Sequence, residues 1–154
     1  MNAEWYIEGH RKMWNWIAKE LKRGVIPIDS TSIKNRFLEE ERLKAHTEEE
    51  RAMINEVICS AYCYACCFTD RNCLECENIN EGCLFKWPFI DCSSKGYCPC
   101  VKSYYGKFIR AIKCEDYDTA IIAAEKIAGL EINNNVVVKC NGIKEEEGES
   151  NIDE

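Results

Sequence analysis

Apolar residues recur at helical spacing through the first part of the chain. At 100° per residue, one face of residues 4–24 collects Tyr6, Ile7, His10, Met13, Trp14, Ile17, Ala18 and Leu21. Trp5 and Trp16 project from another side, about three turns apart. Gly24 supplies a stop signal, and Pro27 prevents simple continuation. The pattern therefore predicts a helix that is covered on more than one side.

The stretch 33–58 is predicted to form two highly charged helices. Residues 29–32, with the sequence DSTS, offer several N-caps for a helix over 33–46. Thr47 followed by Glu50 is a capping-box pattern, which starts a third helix running into the first cysteines. The first of these two helices offers few apolar positions for a core.

Helical periodicity returns over residues 101–129. The apolar face of its first half consists of Val101, Tyr105, Phe108, Ile109 and Ile112. Asp116 or Asp118 can cap a last helix that ends at Gly129. The inner face of that helix consists of Ala120, Ile121, Ala124, Ile127 and Ala128. Beyond it, the three valines at 136–138 suggest a short strand.

The middle of the chain, residues 59–100, lacks this periodicity and holds ten of the 12 cysteines. Asn, Asp, Gly, Ser and Pro are frequent there, which indicates irregular structure. We predict a mainly α-helical single domain over residues 1–140, with residues 59–100 as an irregular, cysteine-rich, metal-binding insert. Residues 141–154 are acidic and polar, which predicts a flexible tail.

Charge narrows the class of partner. The 154 residues carry a net charge of −7 at pH 7, with no block of Lys and Arg. Nucleic-acid binders usually show a basic stripe, so a protein partner is favoured over nucleic acid. The N-terminus lacks the apolar core of a signal peptide, and no stretch approaches the roughly 18 apolar residues that span a bilayer. We therefore expect a cytoplasmic protein of a host cell, without membrane contact.

Two CxxC pairs, Cys63–Cys66 and Cys73–Cys76, indicate metal binding. A two-residue gap lets two thiolates bind one ion, and two pairs supply the four soft ligands of a tetrahedral zinc site. In reducing cytosol, clustered cysteines bind metal more often than they form disulfides, which remain an alternative. Cys76, Cys83 or Cys100 could instead complete the site begun by the first pair.

The later cysteines allow a second metal site. Its candidate ligands are Cys83, Cys92, Cys98 and Cys100. The single residue between Cys98 and Cys100 strains joint ligation of one ion, so this second site is the weaker prediction. Cys114 and Cys140 have no cysteine neighbours, and we expect them to be buried as small apolar groups.

An iron–sulfur cluster is the alternative cofactor. Cys59, Cys63 and Cys66 form a CxxxCxxC pattern, the spacing that holds a cluster in radical enzymes using S-adenosylmethionine. Here the pattern follows a helical run, and the chain is too short for the barrel of those enzymes. A structural or redox cluster is the version that the sequence allows.

No catalytic constellation accompanies the cysteines. Of the two histidines, His10 lies on the apolar face of the first helix and is expected to be a core residue. The chain has no HExxH, GxSxG or phosphate-binding glycine loop, and all-cysteine zinc sites are usually closed and structural. We therefore expect no enzymatic activity. Trp5 and Trp16 are candidates for a partner-binding surface, because Trp is enriched at interfaces.

Several short segments of the chain occur in a characteristic order. HRKMWNWIA at 10–18 is followed by the CxxC pair Cys63–Cys66, then by CLFKW at 83–87, CVKSYYGKF at 100–108 and AAEKIAGL at 123–130. This order resembles a group of uncharacterised small, cysteine-rich proteins of Firmicutes phages and prophages, in which a similar first segment precedes a CxxC, a CPLxW, a further cysteine-containing piece and a last helix. The resemblance implies a phage origin and supplies no activity.

These observations predict a zinc-stabilised accessory protein of a phage or mobile element that binds a host protein. An inhibitor of a host defence system, similar to anti-CRISPR proteins, is the subclass that its size, charge and resemblance suggest. A zinc-dependent nucleic-acid-binding or regulatory module is one alternative, and a small iron–sulfur redox protein is another. The nucleic-acid alternative rests on a modest basic strip formed by Lys95, Lys102, Lys107, Arg110 and Lys113.

Overall fold

The computed structural model describes residues 3–60, 64, 84–86, 104–134 and 137. In this part of the chain the helices are α1 (Ala3–Lys22), α2 (Ser30–Lys44), α3 (Glu48–Ser60), α4 (Tyr104–Lys113) and α5 (Tyr117–Ala128). The predicted mainly helical fold is confirmed for these residues, with two helices within each of the stretches 33–58 and 101–129. Most of the cysteine-rich region and the whole of 141–154 lie outside them.

The core is built around α1. Its entire predicted apolar face is buried, and Ala3 and Glu20 are buried with it. α1 packs mainly against α5, which presents small side chains that let the two helices approach closely. The buried residues of α5 are Ala120, Ala123, Ala124, Ile127 and Ala128. α4 closes the same core, since Trp14 meets the ring of Phe108 edge-on at 5.0 Å between centroids.

Short side-chain caps fix where the helices begin. Asp29 caps α2 by accepting the N–H of Ser32 at 2.7 Å, and the Ser32 hydroxyl accepts the N–H of Asp29 at 3.2 Å. Thr47 Oγ1 accepts the N–H of Glu50 at 3.1 Å before α3. Asp116 caps α5 in the same way, through Thr119. The first of the offered caps is thus the one used for α2, so this helix starts three residues earlier than predicted.

α2 contributes more to the core than its charged sequence indicates. Its buried residues are Ile33, Lys34, Phe37 and Leu38. Lys34, 3% exposed, donates from Nζ to the hydroxyl of Tyr105 and lies 4.8 Å from the centroid of that ring. The lysine stem packs with the apolar residues, while the phenol oxygen and ring accommodate its charge.

Two sequence expectations are wrong for the described residues. Val137, predicted to belong to a strand at 136–138, donates its N–H to the carbonyl of Asn133 at 3.1 Å, which is a helical i→i−4 bond. Cys114, expected to be buried, is exposed in the turn after α4. Cys140 lies outside the described residues. None of the helices in the described ranges is long and apolar enough to cross a membrane.

Candidate protein interface beside the cysteine-rich segment

The residues predicted to bind metal all lie outside the part of the chain that the structure describes. They are Cys63, Cys66, Cys73, Cys76, Cys83, Cys92, Cys98 and Cys100. Among the described residues, no group of three or more His, Cys, Asp or Glu side chains could hold a metal ion. Zinc and the iron–sulfur cluster therefore stay predictions. The structure does describe two points next to these cysteines in sequence, Tyr64 and residues 84–86.

Tyr64 packs on the first helix at a glycine. A Cβ atom built on Gly9 would lie 2.3 Å from Cε1 of Tyr64 and 2.5 Å from its Cδ1, so a side chain there would overlap the ring. Trp5, one turn earlier on α1, packs on the same ring with centroids 5.3 Å apart. Burial raises the pKa of Tyr64 well above its usual range, and the nearby carboxylates of Glu41 and Glu50 raise it further. α1 thus provides a closely fitted seat for Tyr64.

Residues 84–86 pack against the next residue of α1, His10. The Phe85 ring stacks on His10 with centroids 3.9 Å apart and an interplanar angle of 23°. The backbone of this segment pairs antiparallel with residues 131–133. In that pairing Lys86 N–H donates to the Glu131 carbonyl at 2.9 Å, and Asn133 N–H donates to the Leu84 carbonyl at 2.8 Å. Packing and two backbone hydrogen bonds therefore attach this segment to the helical core.

His10 occupies a structural position, as its place on the apolar face predicts. It is 1% exposed, and its Nε2 lies 3.2 Å from the carbonyl oxygen of Ile127 near the end of α5. This geometry suits a tautomer that carries its proton on Nε2 and donates to that carbonyl. The Nδ1 atom is buried with no hydrogen-bond partner among the described residues. A ring enclosed between Phe85 and α5 is a packing element rather than a base open to substrate.

Trp5 and Trp16, the predicted partner-binding residues, are both half-buried and line two separate recesses along α1. The Trp5 cleft has a volume of about 190 Å³ and is walled by Trp5, Glu8, Glu41, Glu50, Ile54 and Tyr64. The Trp16 groove has a volume of about 340 Å³ and is walled by Trp16, Lys19, Phe37, Glu40 and Lys44. We call the two recesses together the tryptophan seam.

An ion pair separates the two recesses. Lys12 Nζ lies 2.9 Å from Glu41 Oε1, and both residues line the cleft and the groove. In the groove, Trp16 packs on Phe37 with centroids 5.5 Å apart, and the guanidinium of Arg36 lies 5.8 Å from the Trp16 ring. Trp5 is therefore fixed by the rings of Tyr6 and Tyr64, and Trp16 by the ring of Phe37, while part of each tryptophan faces an open recess.

Sequence reasoning found the two tryptophans but missed the Tyr64 wall of the Trp5 cleft. The signal that could have pointed to it is Gly9, because a glycine inside a helical pattern often marks a close approach of another segment. The ion pair between Lys12 and Glu41 depends on how α1 and α2 pack, and no local pattern indicates it.

The alternative nucleic-acid surface is described only in part. Lys107, Arg110 and Lys113 are exposed on α4 at three-residue spacing, while Lys95 and Lys102 lie outside the described residues. Cys59, the first cysteine of the iron–sulfur pattern, is exposed near the end of α3. Comparisons with protein-family models, with curated proteins and with solved structures find no match for this chain.

Proposed function

We propose that this protein is a non-enzymatic binding protein of a phage or mobile element, in which a zinc-bound cysteine segment supports a surface for a host protein. The observation that carries the proposal is the contact of Tyr64 with Gly9 and Trp5. Tyr64 lies between the two cysteines of the first CxxC pair, and its ring forms a wall of the Trp5 cleft. A metal held by Cys63 and Cys66 would therefore stabilise one side of the binding surface.

The donor set favours zinc, because four thiolates in a reducing compartment form a closed structural site. Cys63 and Cys66 begin this site, and its completion is open among Cys73, Cys76, Cys83 and Cys100. Tyr64, directly after Cys63, packs at Gly9, and Phe85, two residues after Cys83, stacks on His10. Both cysteine-containing segments are therefore attached to α1.

A host protein is the proposed partner because two tryptophans line open recesses and because the chain is acidic. Tryptophan is enriched among the residues that dominate binding energies, and both seam tryptophans border open recesses. The net charge of −7 disfavours a surface that tracks phosphates. Inhibition of a host defence system is the subclass supported by small size, acidic charge and the resemblance to phage proteins.

The metal half of the proposal is tested by metal analysis of the purified protein. We expect a colourless protein that carries zinc, with zinc lost or the protein insoluble in Cys63→Ser and Cys66→Ser. Cys114→Ser is the matched control, because Cys114 is exposed in the turn after α4. This substitution should leave the zinc content unchanged. Bound iron together with visible absorbance would show that the cofactor is an iron–sulfur cluster instead of zinc. Full zinc content in both variants would exclude the two cysteines as ligands.

The partner half is tested by capture from host lysate, with and without nuclease. We expect a nuclease-resistant host protein that is captured by the native chain and lost with Trp5→Ala or Trp16→Ala. Ile122→Ala is the control, since this exposed apolar side chain lies on α5 and outside both recesses. Capture of only nuclease-sensitive material, abolished by replacing Lys107, Arg110 and Lys113, would favour the nucleic-acid alternative instead.

A further inference from the structure

The two recesses of the tryptophan seam carry opposite charge. The Trp5 cleft is lined by three carboxylates, Glu8, Glu41 and Glu50, against the single ammonium of Lys12, which leaves a net charge of −2. The Trp16 groove is lined by three lysines and two glutamates, which leaves +1. Lys12 and Glu41 are shared and bonded to each other, so the difference comes from the other charged residues. Those other residues are Glu8, Lys19, Glu40, Lys44 and Glu50. None of them forms an ion pair within the described ranges.

The recesses also lie in line along one helix. Trp5 and Trp16 are eleven residues apart on α1, which corresponds to about 16 Å along the axis and a difference in direction of only about 20°. The same spacing, about three turns, separates side chains on one face of any other helix. A partner helix lying along α1 would therefore place one side chain over each recess.

We propose that the seam binds a helix of the host partner that carries an arginine for the Trp5 cleft and a carboxylate, about three turns away, for the Trp16 groove. This inference rests on the proposed function and names the chemistry of the partner. A guanidinium suits the cleft because its plane can stack on the half-buried ring of Trp5 while its N–H groups pair with the carboxylates that line the cleft. A carboxylate suits the groove because Lys19 and Lys44 are exposed there.

The three carboxylates that line the Trp5 cleft, Glu8, Glu41 and Glu50, give it a negative potential that suits a cationic occupant. A second copy of this chain is a poorer occupant, because its corresponding face is also concave and could not fill the two recesses.

Three synthetic alanine-based helical peptides test the assignment. Each carries two charged residues about three turns apart: one has arginine and glutamate, one has two arginines, and one has two glutamates. We expect the full-length native protein to bind the mixed peptide most tightly in fluorescence anisotropy. Glu8→Lys brings the net charge of the cleft from −2 to 0 and should abolish the preference for the mixed peptide over the two-glutamate peptide. Lys19→Glu brings the net charge of the groove from +1 to −1 and should shift the preference to the two-arginine peptide. Each shift should be up to about fivefold, the upper range for an exposed ion pair. Lys113→Glu, on α4, is the control that should leave the order unchanged.

Several results would overturn this inference. One is equal or undetectable binding of the three peptides by the native protein, and another is an unchanged order of preference in both charge-reversal variants. A concentration-dependent dimer lost in Glu8→Lys and Lys19→Glu, and restored by mixing the two variants, would assign the seam to a second copy. If Trp16→Ala abolishes host capture while the peptides are not distinguished, the proposed function stands and the helix assignment falls.

Discussion

The contact between α1 and Tyr64 predicts an unusual response to the substitution Gly9→Ala. In a solvent-exposed helix this change stabilises, since alanine is favoured over glycine by roughly 1 kcal/mol. Here the added Cβ would lie 2.3, 2.5 and 2.7 Å from three ring atoms of Tyr64. Ordinary carbon contacts are about 3.5–4.0 Å, so the ring would have to move by more than about 1 Å.

The cost of that movement exceeds the gain in helix propensity. Overpacking a close contact typically costs about 1–3 kcal/mol. Full undocking of Tyr64, which is 2% exposed, forfeits about 1.5–3 kcal/mol of burial and about 0.5–1.5 kcal/mol of its ring contact with Trp5. After subtraction of the propensity gain of roughly 1 kcal/mol, Gly9→Ala should lower the free energy of unfolding by about 0–2 kcal/mol if the ring shifts and by about 1–3.5 kcal/mol if it undocks.

Denaturant unfolding of the purified protein measures this change, and a double-mutant cycle isolates its cause. Tyr64→Ala should destabilise by itself. In that background Gly9→Ala should become stabilising, because the ring that it meets is gone. Gly129→Ala is the control glycine, since a Cβ there would lie 3.6 Å from the Glu125 carbonyl oxygen, an ordinary contact. Stabilisation of about 1 kcal/mol by Gly9→Ala in the native background would refute the close packing of the Tyr64 ring on Gly9.

Three further predictions follow from the same contacts. For the proposed zinc site, a strong chelator should lower the free energy of unfolding of the native protein and change the fluorescence of Trp5. Gly9→Ala protein should show a smaller fluorescence change, because its Trp5–Tyr64 contact is already disturbed. Lys12→Ala should cost about 1 kcal/mol or less, because the lysine of the Lys12–Glu41 pair is 62% exposed; a salt-independent loss of several kcal/mol would show that the pair supports more than a surface contact. Hydrogen bonds from the Thr119 side chain and backbone lower the pKa of Asp116, so its stabilising cap should be fully present above the ordinary aspartate pKa and be lost as pH falls through the lowered value. An NMR titration should find the Asp116 pKa raised toward its ordinary value in Thr119→Ala, which removes the hydroxyl and keeps the backbone N–H; an unchanged pKa would contradict the hydrogen bond from the Thr119 hydroxyl.

Local patterns determined most of the helical framework. The apolar face of α1 was predictable because burial of one side of a helix imposes a 3.6-residue period, and every predicted residue of that face is buried. Capping residues were predictable because a cap forms between residues three apart, as at Asp116 of α5. For α2 the sequence offered several caps, and the use of Asp29 starts the helix three residues earlier than predicted. The exposure of Cys114 was missed because isolation in sequence says nothing about which side of a turn faces solvent.

The sequence by itself determined that this protein is mainly helical, that α1 is covered on more than one side, and that cysteines dominate the middle of the chain. It also placed Trp5 and Trp16 off the main apolar face of α1, where both are half-buried. Only the tertiary structure decided that Tyr64 sits on Gly9, that Phe85 stacks on His10, and that Lys12 pairs with Glu41 between the two recesses. The physical reason is range: caps and amphipathic faces arise from residues within a few turns, whereas a seat, a cleft wall or a charge pair between elements depends on how distant segments pack together.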